Sequence, residues 1–151
     1  MGVSMRLTSS SFSDGGSIPA RYTCSGADVS PALSWSAVPD GTQSLALTVI
    51  DPDAPGKAFV HWVVFNLPAA TADLSEGAAP PEGSVQGRND FGSNGYRGPC
   101  PPPGSTHHYH FKLYALDSTV RLRTGASESA LEDAMRDHVL ATGEMVGTFK
   151  R

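Results

Sequence analysis

The chain has 151 residues, of which 39% are hydrophobic and 17% are charged, and its net charge is −4 at pH 7. These values are typical of a globular protein, and the length favours one domain over residues 1–151. The Lys and Arg residues do not cluster, which argues against a nucleic-acid partner. The longest strongly apolar run, residues 58–65, is too short to span a bilayer. Because the first residues lack the apolar core of a secretory signal, we expect a cytoplasmic protein.

The first two thirds of the chain alternate apolar segments with long stretches rich in Gly and Pro. Residues 11–35 contain many turn-forming residues. Strands are predicted at 44–53 and 59–68, because both are rich in β-branched and aromatic residues. Residues 69–106 consist largely of small and turn-forming residues. A loop of this length is uncommon in a compact domain and usually has a function.

The last third of the chain adds a strand, one helix and a further strand. Residues 109–117 are predicted to form a strand. Residues 127–143 place apolar side chains at helical spacing, with Ser127 or Ser129 as the N-cap. Residues 144–151 are predicted to form a last short strand. One helix among several strands separated by long loops predicts a mainly β domain.

Two of the predicted strands carry polar residues on faces that are otherwise apolar. Side chains alternate between the two faces of a strand. In residues 44–53, Asp51 and Asp53 therefore extend a face of leucine and valine side chains. In the next strand, His61 lies among the odd-numbered residues, which are otherwise apolar. Since both faces of that strand are apolar, we expect His61 to be buried.

A cluster of histidines begins the third strand, and alternation divides it. His107 and Tyr109 share a face with apolar residues, whereas His108 and His110 lie on the face that appears polar. Buried polar groups need hydrogen-bond partners. The inward-facing groups therefore either satisfy one another and hold the loops, or bind a ligand.

The chain contains two cysteines, Cys24 and Cys100, which are 76 positions apart. In a cytosolic protein the expected state is two reduced thiols. The alternative is a disulfide that joins two loops, for which nothing local in the sequence argues.

Five motifs occur in order along the chain: DPDAP at 51–55, VHWVVFNLP at 60–68, GRNDFG at 87–92, GPCPPPG at 98–104 and HHYHFKLYALD at 107–117. Together they resemble the phosphatidylethanolamine-binding protein family, and within it the bacterial Raf-kinase-inhibitor-like branch. The resemblance extends from about Leu7 to the end of the chain. It implies a β-sandwich built around a central sheet, with long loops, one short C-terminal helix and an anion-binding pocket at the surface.

The resemblance also implies which residues form the pocket. They come from the acidic motif, the following strand, the glycine–proline loop and the start of the third strand: Asp51, Asp53, Pro55, His61, Gly98, Cys100, Pro101, Pro102, His107 and Tyr109. Strand alternation selects five of these without the resemblance. The tight turn before Pro55 is compatible with either a cis or a trans peptide bond.

The sequence thus predicts a non-catalytic protein, without metal or cofactor, that binds a small phosphate-bearing or anionic ligand. A homodimer is compatible with the resemblance. The first alternative is an interaction module that regulates a kinase or recognises another phosphorylated partner. The second is a metal-dependent hydrolase, since Asp-x-Asp with two histidines can bind a divalent ion. The third is a nucleophilic pair of Cys100 and His107, which flanking prolines and the lack of a following helix disfavour.

Overall fold

The computed structural model describes residues 3–151 of the chain. Its strands are β1 (Val3–Ser4), β2 (Arg6–Thr8), β3 (Leu33–Ser36), β4 (Ser44–Asp51), β5 (Phe59–Pro68), β6 (Asp73–Leu74), β7 (Val85–Gln86), β8 (Thr106–Leu116) and β9 (Val139–Lys150). The helical segments within this range are a 3₁₀ turn, Ala20–Tyr22, and one α-helix, α1 (Glu128–Met135). The predicted mainly β class with one short helix near the C-terminus is confirmed.

The strands form two sheets. The larger sheet has six strands in the order β1-β9-β8-β4-β5-β7, and the smaller has three in the order β2-β3-β6. Neighbouring strands are antiparallel except for the β1–β9 pair. β8 pairs with β9 from Thr106 opposite Lys150 to Leu116 opposite Val139, so it is bonded along its whole length at the centre of the sheet.

Each face of the six-stranded sheet covers a separate apolar cluster. One face packs against the three-stranded sheet, and this cluster includes Leu7, Leu33, Trp35, Leu47, Val49, Phe111 and Leu113. The opposite face packs against α1, and this cluster includes Ala46, Val63, Phe65, Leu116, Leu131 and Met135. The core therefore lies on both sides of one central sheet, as in the predicted sandwich.

The predicted helix over 127–143 is wrong in its second half. The Oγ atom of Ser127 accepts a hydrogen bond from an N–H in the first turn, at 3.0 Å, so this end agrees with the prediction. The helix ends at Met135, and the chain reverses at Asp137, whose φ is 69°. From Val139 onward the backbone pairs with β8 instead. This long-range ladder outweighs the helical spacing of the apolar residues.

The five shortest strands, β1, β2, β3, β6 and β7, are absent from the sequence prediction. They contain two to four residues each, too few for an alternation pattern to appear. β6 and β7 lie within the stretch 69–106 that was predicted to be loop. The four longer strands were predicted at least in part: β4 ends at Asp51 instead of continuing to residue 53, β8 begins at Thr106 instead of 109, and β9 begins at Val139 instead of 144.

The expectation of two reduced thiols is wrong, because Cys24 and Cys100 form a disulfide with a Cα–Cα distance of 5.4 Å. The two loops lie side by side, and the backbone N–H of Cys24 also donates to the carbonyl of Pro99 at 3.1 Å. No cis peptide bond occurs in residues 3–151, so the bond before Pro55 is trans. Over the same range, no helix is long and apolar enough to cross a membrane.

We predict that Gly147→Ala destabilises the fold. Gly147 lies opposite Tyr109 in the β8–β9 ladder, and a Cβ atom there would lie 2.5 Å from the Ile18 side chain and 2.6 Å from that of Phe12. Overpacking a core in this way typically costs about 1–3 kcal/mol. Urea unfolding should show this loss, while Lys150→Ala, an exposed change in the same strand, should shift the free energy of unfolding by less than about 0.5 kcal/mol.

We predict that losing the disulfide lowers the free energy of unfolding by about 2–4 kcal/mol, because the bond restricts the unfolded chain. Urea unfolding of the wild type with and without a reductant measures the change. The double variant Cys24→Ser/Cys100→Ser is the control, since it should match the reduced wild type and ignore the reductant. Equal midpoints for oxidised and reduced wild type would contradict a stabilising role.

Candidate functional site

A small cavity of about 140 Å³ opens where β4, β5 and β8 meet the glycine–proline loop. Its lining combines residues from these strands and loops: Asp51, Ala54, Pro55, Phe59, His61, Phe91, Cys100, Pro101, Pro102, His107 and Tyr109. Eight of the ten pocket residues expected from the sequence are among them. The structure thus brings together side chains that are up to 58 positions apart, from Asp51 to Tyr109.

At one side of the cavity, Asp51 and His107 form a buried pair. Asp51 is the last residue of β4, and its Oδ2 atom lies 2.6 Å from Nδ1 of His107. The other carboxylate oxygen accepts the backbone N–H of Asp53 at 2.8 Å. Because Nδ1–H of His107 donates to the carboxylate, Nε2 is the ring atom left for a ligand.

A β-bulge places His61 in the cavity. In the β4–β5 ladder, Val49 lies opposite Trp62 and Ile50 lies opposite Val60, so His61 is the extra residue. Val63 packs in the helix-side cluster, whereas His61 lines the cavity near Tyr109, with ring centroids 5.3 Å apart. The predicted sharing of one face by His61, Val63 and Phe65 is therefore wrong, although His61 is buried as expected.

The ring of His61 is fixed by the backbone of Arg97. Nδ1–H of His61 donates to the Arg97 carbonyl at 2.7 Å, and the Arg97 N–H donates to the His61 carbonyl at 3.2 Å. Burial lowers the pKa of His61, and the hydrogen bond to Arg97 and the charge of Asp51 oppose this only partly. His61 is thus a neutral imidazole near pH 7, with a lone pair on Nε2.

Tyr109 carries the unsatisfied polar group of the cavity. Its side chain is buried, and its hydroxyl oxygen has no hydrogen-bond partner within the described residues. Burial, together with the negative charges of Asp51 and Asp53, raises the pKa of the phenol, so the hydroxyl keeps its proton. A buried hydroxyl without a protein partner needs a ligand or a water molecule.

Aromatic rings form a wall that the sequence did not predict. The Phe59 ring lies 4.9 Å from His61 and 4.8 Å from Phe91, between centroids. Phe91 is 38% exposed at the cavity mouth, and the guanidinium of Arg97 lies 4.8 Å from its centroid. The sequence could have indicated Phe59 as a cavity residue, because it lies two positions before His61 in the same strand and so shares its face.

Two of the expected pocket residues, Asp53 and Gly98, do not line the cavity. Asp53 is exposed, and its carboxylate accepts hydrogen bonds from the ring Nδ1 of His108 at 2.7 Å and from the backbone N–H of His108 at 2.8 Å. These bonds lower the pKa of Asp53. The alternation that placed Asp53 inward fails because β4 ends at Asp51. His108 itself points outward, as predicted.

Gly98 lies away from the cavity, where its loop packs against the segment that contains Tyr22 and Asp28. Its N–H donates to Oδ1 of Asp28 at 2.8 Å, and a Cβ atom at this position would collide with the Tyr22 carbonyl. The Tyr96 hydroxyl donates to the same carbonyl at 2.6 Å, and Arg97 forms an ion pair with Asp28 at 3.3 Å. These contacts and the disulfide hold the loop that supplies the Arg97 carbonyl to His61.

Two alternatives from the sequence, a metal-dependent hydrolase and a nucleophilic pair of Cys100 and His107, can be compared with the structure. Within residues 3–151, no three His, Cys, Asp or Glu side chains come together in a way that could hold a metal ion. Cys100 lines the cavity as half of a disulfide, so the proposed pair of Cys100 and His107 has no thiol to act as a nucleophile.

We predict that His61 makes the fold less stable as the pH falls. The unfolded state takes up a proton near the ordinary pKa of about 6.5, whereas buried His61 resists protonation, so stability declines as the pH drops below that value. Replacing His61 with Gln should reduce the loss of unfolding free energy between about pH 7.5 and about pH 5.5. The exposed change His110→Gln should leave the larger loss of the wild type. Equal losses in His61→Gln and wild type would contradict this assignment.

Comparison with known proteins identifies related chains. The phosphatidylethanolamine-binding protein family profile matches residues 8–150. A UPF0098 protein from Methanothermobacter thermautotrophicus is 49% identical, covering 97% of this chain and 99% of its own. A crystal structure of a phosphatidylethanolamine-binding protein homologue from Chlamydia trachomatis superposes with a TM-score of 0.92 at 42% identity, covering 98% of both chains. Escherichia coli YbcL, described as a member of the mammalian family, gives 0.93 at 36% identity, covering 99% of both. The chain therefore belongs to the phosphatidylethanolamine-binding protein family.

Proposed function

We propose that the cavity binds the phosphate group of a small phosphate-bearing molecule and that the protein acts by binding, without turnover. The observation that carries this proposal is the Tyr109 hydroxyl, buried in the cavity with no hydrogen-bond partner among residues 3–151. It is flanked by His61 and His107, each of which has its Nδ1 atom engaged and its Nε2 atom free for a ligand. Three convergent polar groups within apolar walls are typical of a small-ligand site.

The protonation states favour a phosphate group that retains one proton. Tyr109 donates to a phosphate oxygen, whereas neutral His61 accepts at Nε2 and needs a P–OH donor. The nearby carboxylate of Asp51 also repels a fully ionised phosphate. Since the second pKa of a phosphate monoester is about 6, the singly charged form becomes abundant on acidification. We therefore expect tighter binding near pH 6 than near pH 8.

The walls of the cavity support the same role. Pro101, Pro102 and Phe59 give the cavity apolar walls around its polar groups. Hydrogen bonds are stronger when water is excluded in this way. Cys100 is bound in the disulfide, so the cavity contains no cysteine thiol that would indicate catalysis instead of binding.

Isothermal titration calorimetry with phosphoethanolamine and with inorganic phosphate tests the proposal. The wild type should bind both with one site per chain, and more tightly at about pH 6 than at about pH 8. Tyr109→Phe should weaken binding by about tenfold or more, because a hydrogen bond to a charged group contributes roughly 1.5–3 kcal/mol. Tyr114→Phe, the same change in β8 but on the helix-side face, should bind like the wild type. No heat of binding in the wild type would refute the proposal.

The second candidate is an interaction module that recognises a phosphorylated protein. Half-exposed Phe91, with Arg97 beside it, gives the cavity mouth a surface that a peptide could contact. Saturable binding of phosphoethanolamine without a partner protein favours the small-ligand function, whereas binding only to a phosphopeptide favours the module.

A homodimer stays a prediction. The cytoplasmic location also stays a prediction, and the disulfide argues for an oxidising compartment or a hyperthermophilic cytosol.

A further inference from the structure

We propose that Nε2 of His61 accepts a phosphoryl group from a small donor of the phosphoramidate or acyl-phosphate class, which gives a phosphohistidine inside the cavity. The inference rests on the proposed function, because the phosphate group of the donor would occupy the phosphate site. It goes beyond binding, since a covalent N–P bond would then block the cavity. The product is one modified residue per chain.

The hydrogen bonds of His61 fix the reactive nitrogen. The bond from Nδ1–H to the Arg97 carbonyl places the ring proton on Nδ1 and the lone pair on Nε2. The second backbone bond, from Arg97 N–H to the His61 carbonyl, ties the two segments together. The side chain is buried among Phe59, Phe91 and Tyr109, which restrict rotation of the ring. A nucleophile that is already oriented reacts without paying that entropy at the moment of attack.

The imidazole of His61 is uncharged near pH 7. Burial lowers the pKa of His61, so a protonated ring, which has no lone pair to attack with, is the minor form. The charged groups that act on this ring are the carboxylates of Asp51, Asp28 and Asp90, which raise the pKa but do not offset burial, and the phenol of Tyr109 packs against it.

The groups around His61 suit a phosphoryl group in transfer. The Tyr109 hydroxyl has no protein partner and can donate to a phosphoryl oxygen. His107, oriented by Asp51 at 2.6 Å, presents its Nε2 to the same cavity. The Tyr109 hydroxyl is a preorganised donor, and donors of this kind stabilise the charge that develops on transferring oxygens.

The transfer balances without a further reactant. In the phosphoramidate monoanion the nitrogen already carries three protons. The Nε2 lone pair of His61 forms the N–P bond as the P–N bond of the donor breaks, and its electron pair leaves with neutral ammonia. The histidine keeps the proton on Nδ1, so the ring gains the positive charge that ammonia gives up. With acetyl phosphate, the leaving group is acetate and no proton moves.

Three histidines that face outward, unlike His61, serve as reference residues for the labelling rate. The Nδ1 atoms of His108, His110 and His138 pair with exposed carboxylates. They are more accessible than His61, so simple exposure predicts that they react first. The proposal predicts the reverse order.

The experiment exposes the oxidised wild type to phosphoramidate at neutral pH and follows each histidine by peptide mass spectrometry, with ³¹P NMR to identify the N–P bond. We expect His61 to be labelled at least about tenfold faster than each outward-facing histidine. Saturating inorganic phosphate should suppress labelling of His61 alone. His110→Gln should leave the rate at His61 unchanged, and Tyr109→Phe should lower it by about tenfold or more.

The outcomes separate this proposal from the proposed function. If calorimetry shows phosphate binding but His61 reacts no faster than the exposed histidines, the phosphoryl transfer is refuted and the binding function stands. If His61 is labelled fast but inorganic phosphate neither binds nor competes, phosphoryl transfer to His61 stands and the proposed phosphate-binding function is refuted. Loss of fast labelling in His61→Gln supports the assignment only if that variant retains the disulfide and the wild-type unfolding transition.

Discussion

The hydrogen bond from His61 to the Arg97 carbonyl is the interaction on which the cavity depends. A buried imidazole costs free energy unless both ring nitrogens find partners, and the protein supplies one for Nδ1. That carbonyl stays in place because its loop is fixed to the segment around residues 20–28 by the disulfide and by Asp28. The local position of one histidine thus depends on contacts between distant parts of the chain.

The cavity residues were predicted well where strands are regular and poorly where they are not. His107 and Tyr109 lie in β8, whose ladder with β9 continues without a shift around them, and alternation placed both correctly. Asp53 was placed wrongly because the strand had ended. His61 is the instructive case. Alternation assigned it to the face of Val63, which packs against the helix, and a bulge moves it to the cavity. The prediction that His61 and Asp51 lie in the same site was right, but strand alternation alone did not include the bulge that brings His61 there.

The remaining errors concern pairing between distant segments. The Cys24–Cys100 disulfide and the β9 strand both depend on which loops and strands become neighbours in the folded chain. Residues 139–143 have the spacing of a helix, and only the presence of β8 beside them favours a strand. Local pattern carries no information on such partners, whereas the resemblance of five motifs carried the fold as a whole.

Asp51 shows how a carboxylate can belong to a phosphate site. One of its oxygens faces Nδ1 of His107 and the other accepts the N–H of Asp53, so its hydrogen bonds are made to the protein. A ligand therefore meets the Nε2 side of His107, whose orientation the carboxylate fixes. The charge that remains repels a doubly ionised phosphate more than a singly ionised one. The same residue thus orients a binding group and selects the protonation state of the ligand.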